Sequence, residues 1–345
     1  MARFLAGARA SLDIAVYDFR LAGAAAEAMV AEIHAAKARS VAVRILFNQD
    51  HARREPDPAP PAIDWDLLHR LDVPFRPVNG VPDLMHHKYV VRDGGAADAA
   101  VLTGSSNWTN DSWTREENVL VEVRSAALAS WYSRDFEELW SNPVVAASGH
   151  FTVPWTPLAA GLQARVFFCP GRGPRLAHAI ARSVATAARR IRILSPVITS
   201  GPILGTLAEL VAQRAGIVGG AFDLTQMEEV QRQWSRDPHA TWKLEAFKAV
   251  DSAVPFGRKR STPWQAGGVH DFMHAKTVVA DDTVYVGSYN LSHSGEENAE
   301  NVVEVRDPAL ADTFTAFIEE VARRYGGTPP AEAPPVDSER RAAPA

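Results

Sequence analysis

Hydrophobic positions along this chain change period repeatedly, and the changes recur. Residues 12–17 (LDIAVY) alternate and predict a strand, 24–38 are Ala-rich with apolar residues at helical spacing, and 41–47 (VAVRILF) predict a second strand. A short helix is expected at 65–71, with 73–78 leading toward strands at 86–91 and 101–103. A helix at 126–141 stops before Asn142-Pro143. The order is then written again: strands at 165–168, 191–194 and 217–222, with helices at 176–189, 203–215 and 226–234. A helix at 242–248 and strands at 252–256 and 284–286 complete it. Strands alternating with helices imply an α/β fold. A repeat of about 180 residues is too long for a solenoid. It predicts two similar α-β-α domains related by a pseudo-two-fold axis, with the active site at their interface. The expected boundaries are 1–147 and 163–325, joined by a linker at 148–162 and followed by a disordered Pro- and Ala-rich tail at 326–345. The first half lacks a counterpart of the strand at 165–168, so its N-terminus reads as short. Residues 53–62 (RREPDPAPPA) are too rich in Pro for helix or central strand and predict a loop, suited equally to a lid or an ordinary surface.

The repetition is sharpest among polar residues. Met85 to Asn118 reads MHHKYVVRDGGAADAAVLTGSSNWTNDSWTREEN, and Met273 to Asn301 reads MHAKTVVADDTVYVGSYNLSHSGEENAEN. His86, Lys88 and Asp93 align with His274, Lys276 and Asp281. Gly104, Ser105 and Asn107 align with Gly287, Ser288 and Asn290, and Glu117-Asn118 with Glu300-Asn301. Most of the 36 basic residues are Arg, yet both motifs keep Lys, a compact point charge that a planar guanidinium does not replace. Alternation along a strand puts His86 and Lys88 on one face and His87 on the other. His87, whose counterpart is Ala275, is therefore expected to be structural.

Two His, two Lys, two Asn and two Ser on opposed motifs form a cationic, donor-rich pocket whose natural guest is a tetrahedral oxyanion, best a phosphate. Lys88, Lys276, Asn107, Asn290, Ser105 and Ser288 are the expected holders of its oxygens. One imidazole is placed to attack phosphorus while the other protonates the leaving oxygen, and histidine titrates in the right range for both. Glu117 and Glu300 are expected to hold the far ring nitrogens. The positive charge comes from lysines, so the chemistry calls for no metal and no cofactor.

Composition then narrows the setting. A 46% hydrophobic, 22% charged chain with net charge -5 exerts no global pull on nucleic acid or anionic lipid. Local basic groups such as Arg258-Lys259-Arg260 read first as a solvated loop and second as contact points. The single cysteine, Cys169, cannot close an intrachain disulfide, and no Cys/His spacing suits zinc. No stretch is apolar enough to span a membrane and no signal peptide is read, so the expectation is a cytoplasmic monomer with an internal pseudo-dimer and at most peripheral membrane contact.

The two motifs resemble the HxKxxxxD and GSxN elements of the phospholipase D superfamily, both copies in one chain. MHHKYVV, TGSSNWT and EEN of the first half are most similar to the branch of the mitochondrial cardiolipin hydrolase and the Nuc endonuclease. The resemblance implies a phosphodiesterase working through a covalent phosphohistidine, with His86 and His274 as nucleophile and general acid and Asp93 and Asp281 as structural residues. It implies a phospholipid substrate first, the net acidity favouring lipid, and a metal-independent nuclease as the alternative.

Overall fold

The computed structural model describes residues 1–49, 64–265 and 268–330. The Pro-rich segment at 53–62 and most of the expected tail lie outside the described residues. Two sheets dominate. The first has six strands in the order Phe75–Val78, Ala42–Asn48, Ser11–Val16, Lys88–Arg92, Ala100–Gly104, Leu120–Arg124. The second runs Gly257–Lys259, Val218–Asp223, Ile191–Ser195, Thr277–Ala280, Thr283–Gly287, Asn301–Arg306, and continues through Leu162–Phe168 to Thr156–Ala159. Six positions of the two orders correspond, each with parallel outer pairs and antiparallel pairs after the motif strand. The fold is a mixed α/β arrangement of two similar layers. The extra pair of strands explains a difference in burial. Asn301–Arg306 is flanked on both sides and buried except for Arg306, whereas Leu120–Arg124 is an edge with alternating exposure.

Alternation drives the packing. Leu12, Ile14 and Val16 join Met29 and Ile33 of helix Gly23–Ala38 on one face of the first sheet. Ala15 points to the other face, toward Leu128 and Phe136 of helix Ala126–Ser141. The cluster on that inner face does not stop at the sheet: it runs on through Val279, Val284 and Val303 of the second sheet to Phe314, Ile318 and Val321 of helix Pro308–Arg324. One continuous apolar core therefore spans both halves.

Several expectations need correction. Residues 252–256 are not a strand: helix Thr241–Ala253 continues to Ala253 because Phe247 and Val250 keep a buried helical stripe, and it ends ahead of Pro255. The stretch read as a linker holds strand Thr156–Ala159, paired with Leu162–Phe168. Strands Leu120–Arg124 and Asn301–Arg306 and helix Pro308–Arg324 add to the expected elements. The first motif strand begins at Lys88, so His86 sits just ahead of it.

Candidate active site

Each motif histidine is delivered by the same device. Met85 N–H donates to Asn48 Oδ1 (2.8 Å) and Met273 N–H to Asp223 Oδ2 (2.9 Å), both acceptors lying at the ends of parallel strands. The two motifs then cross between halves. His86 N–H donates to Ala299 O (2.9 Å) and His274 N–H to Glu117 O (3.0 Å). Each histidine backbone is thus fixed by the other half of the chain. The lysines fold back alike: Lys88 Nζ donates to His86 O (2.7 Å) and Lys276 Nζ to His274 O (2.6 Å). His86, Lys88 and Lys276 are buried, and the His274 side chain is 12% exposed. Tyr17 closes one wall, its ring 4.6 Å from His86 and 4.8 Å from Lys88 Nζ.

The groups are close enough to oppose each other's charge. Burial first, then Lys88, Lys276 and His274, holds the His86 imidazole well below its ordinary value. His274 is lowered by burial, Lys276 and Lys88. Burial brings the Lys88 ammonium down to about 7 against the pull of Glu300, and burial with Lys88 lowers Lys276. Burial raises Glu300 to about 8, opposed by Lys88 and Lys276. Such a cluster welcomes an anion, which stabilises the protonated lysines.

The ring partners depart from expectation. His86 Nδ1 lies 2.7 Å from Glu300 Oε1, as the second half was expected to provide. Glu117 does not reach His274. Its carboxylate accepts from Arg324 Nη1 (2.9 Å) and Tyr325 OH (2.6 Å), and only its backbone serves the histidine. His274 Nδ1 faces Asn118 Oδ1 at 3.1 Å and Glu116 Oε2 at 3.3 Å, with the Ser105 carbonyl also beside the ring. The cause is a one-residue difference in loop length. Gly104 pairs with Leu120 but Gly287 with Val302, so Asn118 occupies the place of Glu300 and Val119 that of Asn301. Matching the Glu-Asn letters put that alignment one residue out of register. The strand pairing, read as Val119 and Asn301 each accepting from the loop serine N–H, is the signal that finds Asn118 and Glu116.

The serines also differ from expectation. Ser105 Oγ donates to Asn118 Oδ1 (2.6 Å) and accepts from Val119 N–H (3.0 Å). Ser288 Oγ accepts from Asn301 N–H (3.0 Å) and bonds Glu300. Both are fully buried, and their hydroxyls orient the partners of the histidines rather than an incoming phosphate. Asn107 and Asn290 behave otherwise. Their carboxamide Oδ1 atoms are buried with no hydrogen-bond partner among the described residues, at matching places in the two halves. A buried acceptor without a partner marks a place for a polar guest, and with the carboxamide turned about, its Nδ2 donates to an anion there.

Asp93 and Asp281 lie outside the pocket. Each adopts positive φ in a turn (55° and 49°) and collects three backbone N–H groups, from Arg9, Ala10 and Ser11 or from Ala188, Arg189 and Arg190. They tie the far end of the motif strand to the start of its antiparallel neighbour. His87 is buried, with Nε2 3.1 Å from Asp135 and Nδ1 3.3 Å from Asn301 Nδ2, in a polar network that joins the halves.

Comparison with known proteins places this geometry. The family model described as cardiolipin synthase, PLD-like domain, matches residues 1–140 and 180–322. The mitochondrial cardiolipin hydrolase of Xenopus laevis is 31% identical over 139 residues, covering 40% of this chain and 58% of that protein. That of Xenopus tropicalis is 29% identical over 136 residues, covering 39% and 57%. The chain thus matches little more than half the length of these curated relatives. Among solved structures, phosphatidylserine synthase of Haemophilus influenzae superposes with a TM-score of 0.65 at 15% identity, over 95% of this chain and 83% of that one. Among the described residues no helix is long and apolar enough to cross a membrane. With two motif-bearing layers matched by one family model over most of its length, the chain belongs to the phospholipase D-like family of phosphodiester-processing enzymes.

Proposed function

We propose that this protein cleaves a phospholipid phosphodiester through a covalent phosphohistidine, with His86 as nucleophile and His274 as general acid. The observation that carries the reading is the crossed pair of histidines, each with Nδ1 engaged and a lysine folded beside it. A neutral His86 holding its proton on Nδ1 toward Glu300 keeps the Nε2 lone pair free. The bound phosphodiester anion favours the protonated His274 that burial and the lysines oppose in the free site. Nε2 attacks phosphorus, the bond to the leaving oxygen breaks, and that oxygen takes a proton from His274. Water then gives a proton to neutral His274 and attacks phosphorus; the P–N bond breaks and its electrons return to His86. Lys88, Lys276, Asn107 and Asn290 hold the non-bridging oxygens, where one aimed donor contributes about 3 kcal/mol to the transition state.

The direction of attack follows from the unequal partners. With both lysines held protonated by the bound anion, Glu300 ionises, and its carboxylate at 2.7 Å makes the His86 ring the more basic and nucleophilic, while His274 faces an amide oxygen first. The preference for lipid rests on what precedes the motifs. Val81 and Val269, each five residues ahead of its histidine, are 39% and 41% exposed, and Trp264, 44% exposed, stacks on His270, which in turn stacks on Phe272. The basic run 258–260 offers a nucleic acid little unpaired charge: Arg258 pairs with Asp251 and Arg260 with Glu228 at the surface, and Lys259 is buried. The relatives' names point to cardiolipin as the lipid to try first.

The test is turnover by purified protein in EDTA on cardiolipin or phosphatidylcholine vesicles and on single-stranded DNA. Headgroup release that is lost in His86→Asn, with an unchanged melting temperature, is the expected result. Cleavage of DNA alone would replace the lipid reading with the nuclease. Activity that needs added metal would remove the phosphohistidine.

A further inference from the structure

A second cationic cleft lies away from the motif residues. It has a volume of about 370 Å³ and opens between helix Gly173–Thr186, strand Leu162–Phe168 and the stretch around Thr152. Arg172, Arg175, His178 and Arg182 follow one another at intervals of three and four residues and so share one face of the helix. Arg165 reaches in from the strand, and Phe167 with Val166 supplies an apolar floor.

Most of the positive charge here has no carboxylate beside it. Arg175, His178 and Arg182 are exposed and form no ion pair or side-chain hydrogen bond among the described residues. Arg172 is spent on neutral acceptors: the carbonyls of His150 (3.2 Å), Phe151 (3.1 Å) and Gly171 (3.2 Å), and Thr152 Oγ1 (3.1 Å). Its charge is held in place but not neutralised. Arg165 pairs with Glu304 at 2.6 Å and is braced between the rings of Trp155 and Phe167. Glu304 is almost fully buried, and Glu296 feels the charge of His178. Like charges gathered on one helix face repel one another, and an anion offsets that repulsion.

We infer that this cleft binds a small phosphate-bearing anion, with Arg175, His178 and Arg182 as its contacts and Arg165 and Arg172 as fixed walls. Guanidinium forks match phosphate oxygens in pairs, and a space of this size takes one phosphate with a short organic body rather than a polymer. The cleft is separate from the motif pocket yet adjoins its support. Cys169 N–H, at the end of the strand that lines the cleft, donates to Glu300 O (2.8 Å), and a Cβ on Gly173 would stand 1.9 Å from Glu296 O.

Calorimetric titration of the full chain with inorganic phosphate tests the proposal. The motif pocket is expected to bind phosphate as well, so the wild type should show two events. Arg175→Gln/Arg182→Gln should lose one of them, by tenfold or more in affinity, at unchanged melting temperature. Lys88→Met/Lys276→Met should lose the other and keep the cleft event. Titration of the arginine variant identical to wild type would overturn the cleft. Loss of nothing in the lysine variant would count against the motif pocket alone. Sedimentation with phosphatidate vesicles separates the sources. Binding lost in the arginine variant assigns the phosphate to a lipid headgroup, and phosphate binding without vesicle binding assigns a free anion. DNA retention lost in the arginine variant, with no phosphate event at the cleft, would overturn the small anion in favour of a polymer track.

Discussion

Lys88 is the residue whose environment is most unlike its chemistry. It is buried under Tyr17, its ammonium is held to about 7, and its nearest acceptor is the carbonyl of the histidine it serves. A lysine binds an anion while protonated, so affinity should be full below its pKa and fall as pH rises through it. Inhibition by dimethyl phosphate, a monoanion throughout the range, is expected to weaken above about pH 7 in the free wild-type enzyme. In Lys88→Arg the loss should move out of the range. The glutamates give a second contrast. Glu116→Gln is expected to lower turnover about tenfold, because Glu116 faces His274 Nδ1 at 3.3 Å. Glu117→Gln should leave the chemical step nearly intact and cost about 1 kcal/mol of stability through Arg324 and Tyr325. Denaturant unfolding and kcat measured on both variants check this. Residue types at this scale were legible: the paired His, Lys and Asn are where the repeat put them. What the letters hid was register. Two adjacent glutamates before Asn118 offered a match in identity, and a loop one residue longer made that match false.

Among the elements, the turn after each motif strand is a clasp. Asp93 and Asp281 each gather three backbone N–H groups and hold the strand in register with its antiparallel neighbour, a few residues from the histidine. Asp93→Ala should destabilise the fold by about 3 kcal/mol, since three partly buried donors lose a charged acceptor. Its kcat should change less than its denaturation midpoint. A loss of turnover at full stability would mean that the aspartate acts in the chemistry. The same elements show why strands and helices of half one were readable while others were not. Strand Ser11–Val16 and helix Ala126–Ser141 carry clear periods. Helix Thr241–Ala253 ends in residues that alternate by chance, and only the buried positions of Phe247 and Val250 show that the helical period continues. Strand Thr156–Ala159 is short, contains Pro157 and owes its state to pairing rather than propensity.

The whole molecule behaves as one body because its halves share a core and exchange backbone contacts at the site. Helices Ala126–Ser141 and Pro308–Arg324 lie in one apolar cluster, and Tyr132 OH and Thr103 Oγ1 from the first half both donate to Asn301 Oδ1 of the second (3.0 and 2.6 Å). Differential scanning calorimetry should therefore show a single cooperative transition. Two separated transitions would mean that the halves fold independently. The repeat and the α/β layering were visible in the sequence. The shared core was not, because nothing local distinguishes a helix that covers one sheet from a helix wedged between two.

The roles of the two histidines are open to direct chemical capture. A phosphodiester with a p-nitrophenyl leaving group departs without protonation, so His274→Ala should still be attacked by His86 and then stall, having no base to activate water. Alkaline quenching and peptide mass spectrometry should find the phosphoryl adduct on His86 in that variant, and none in His86→Ala. An adduct on His274 in His86→Ala, with His86 unmodified in the converse variant, would reverse the direction of attack; turnover by either variant with no adduct would remove the covalent step.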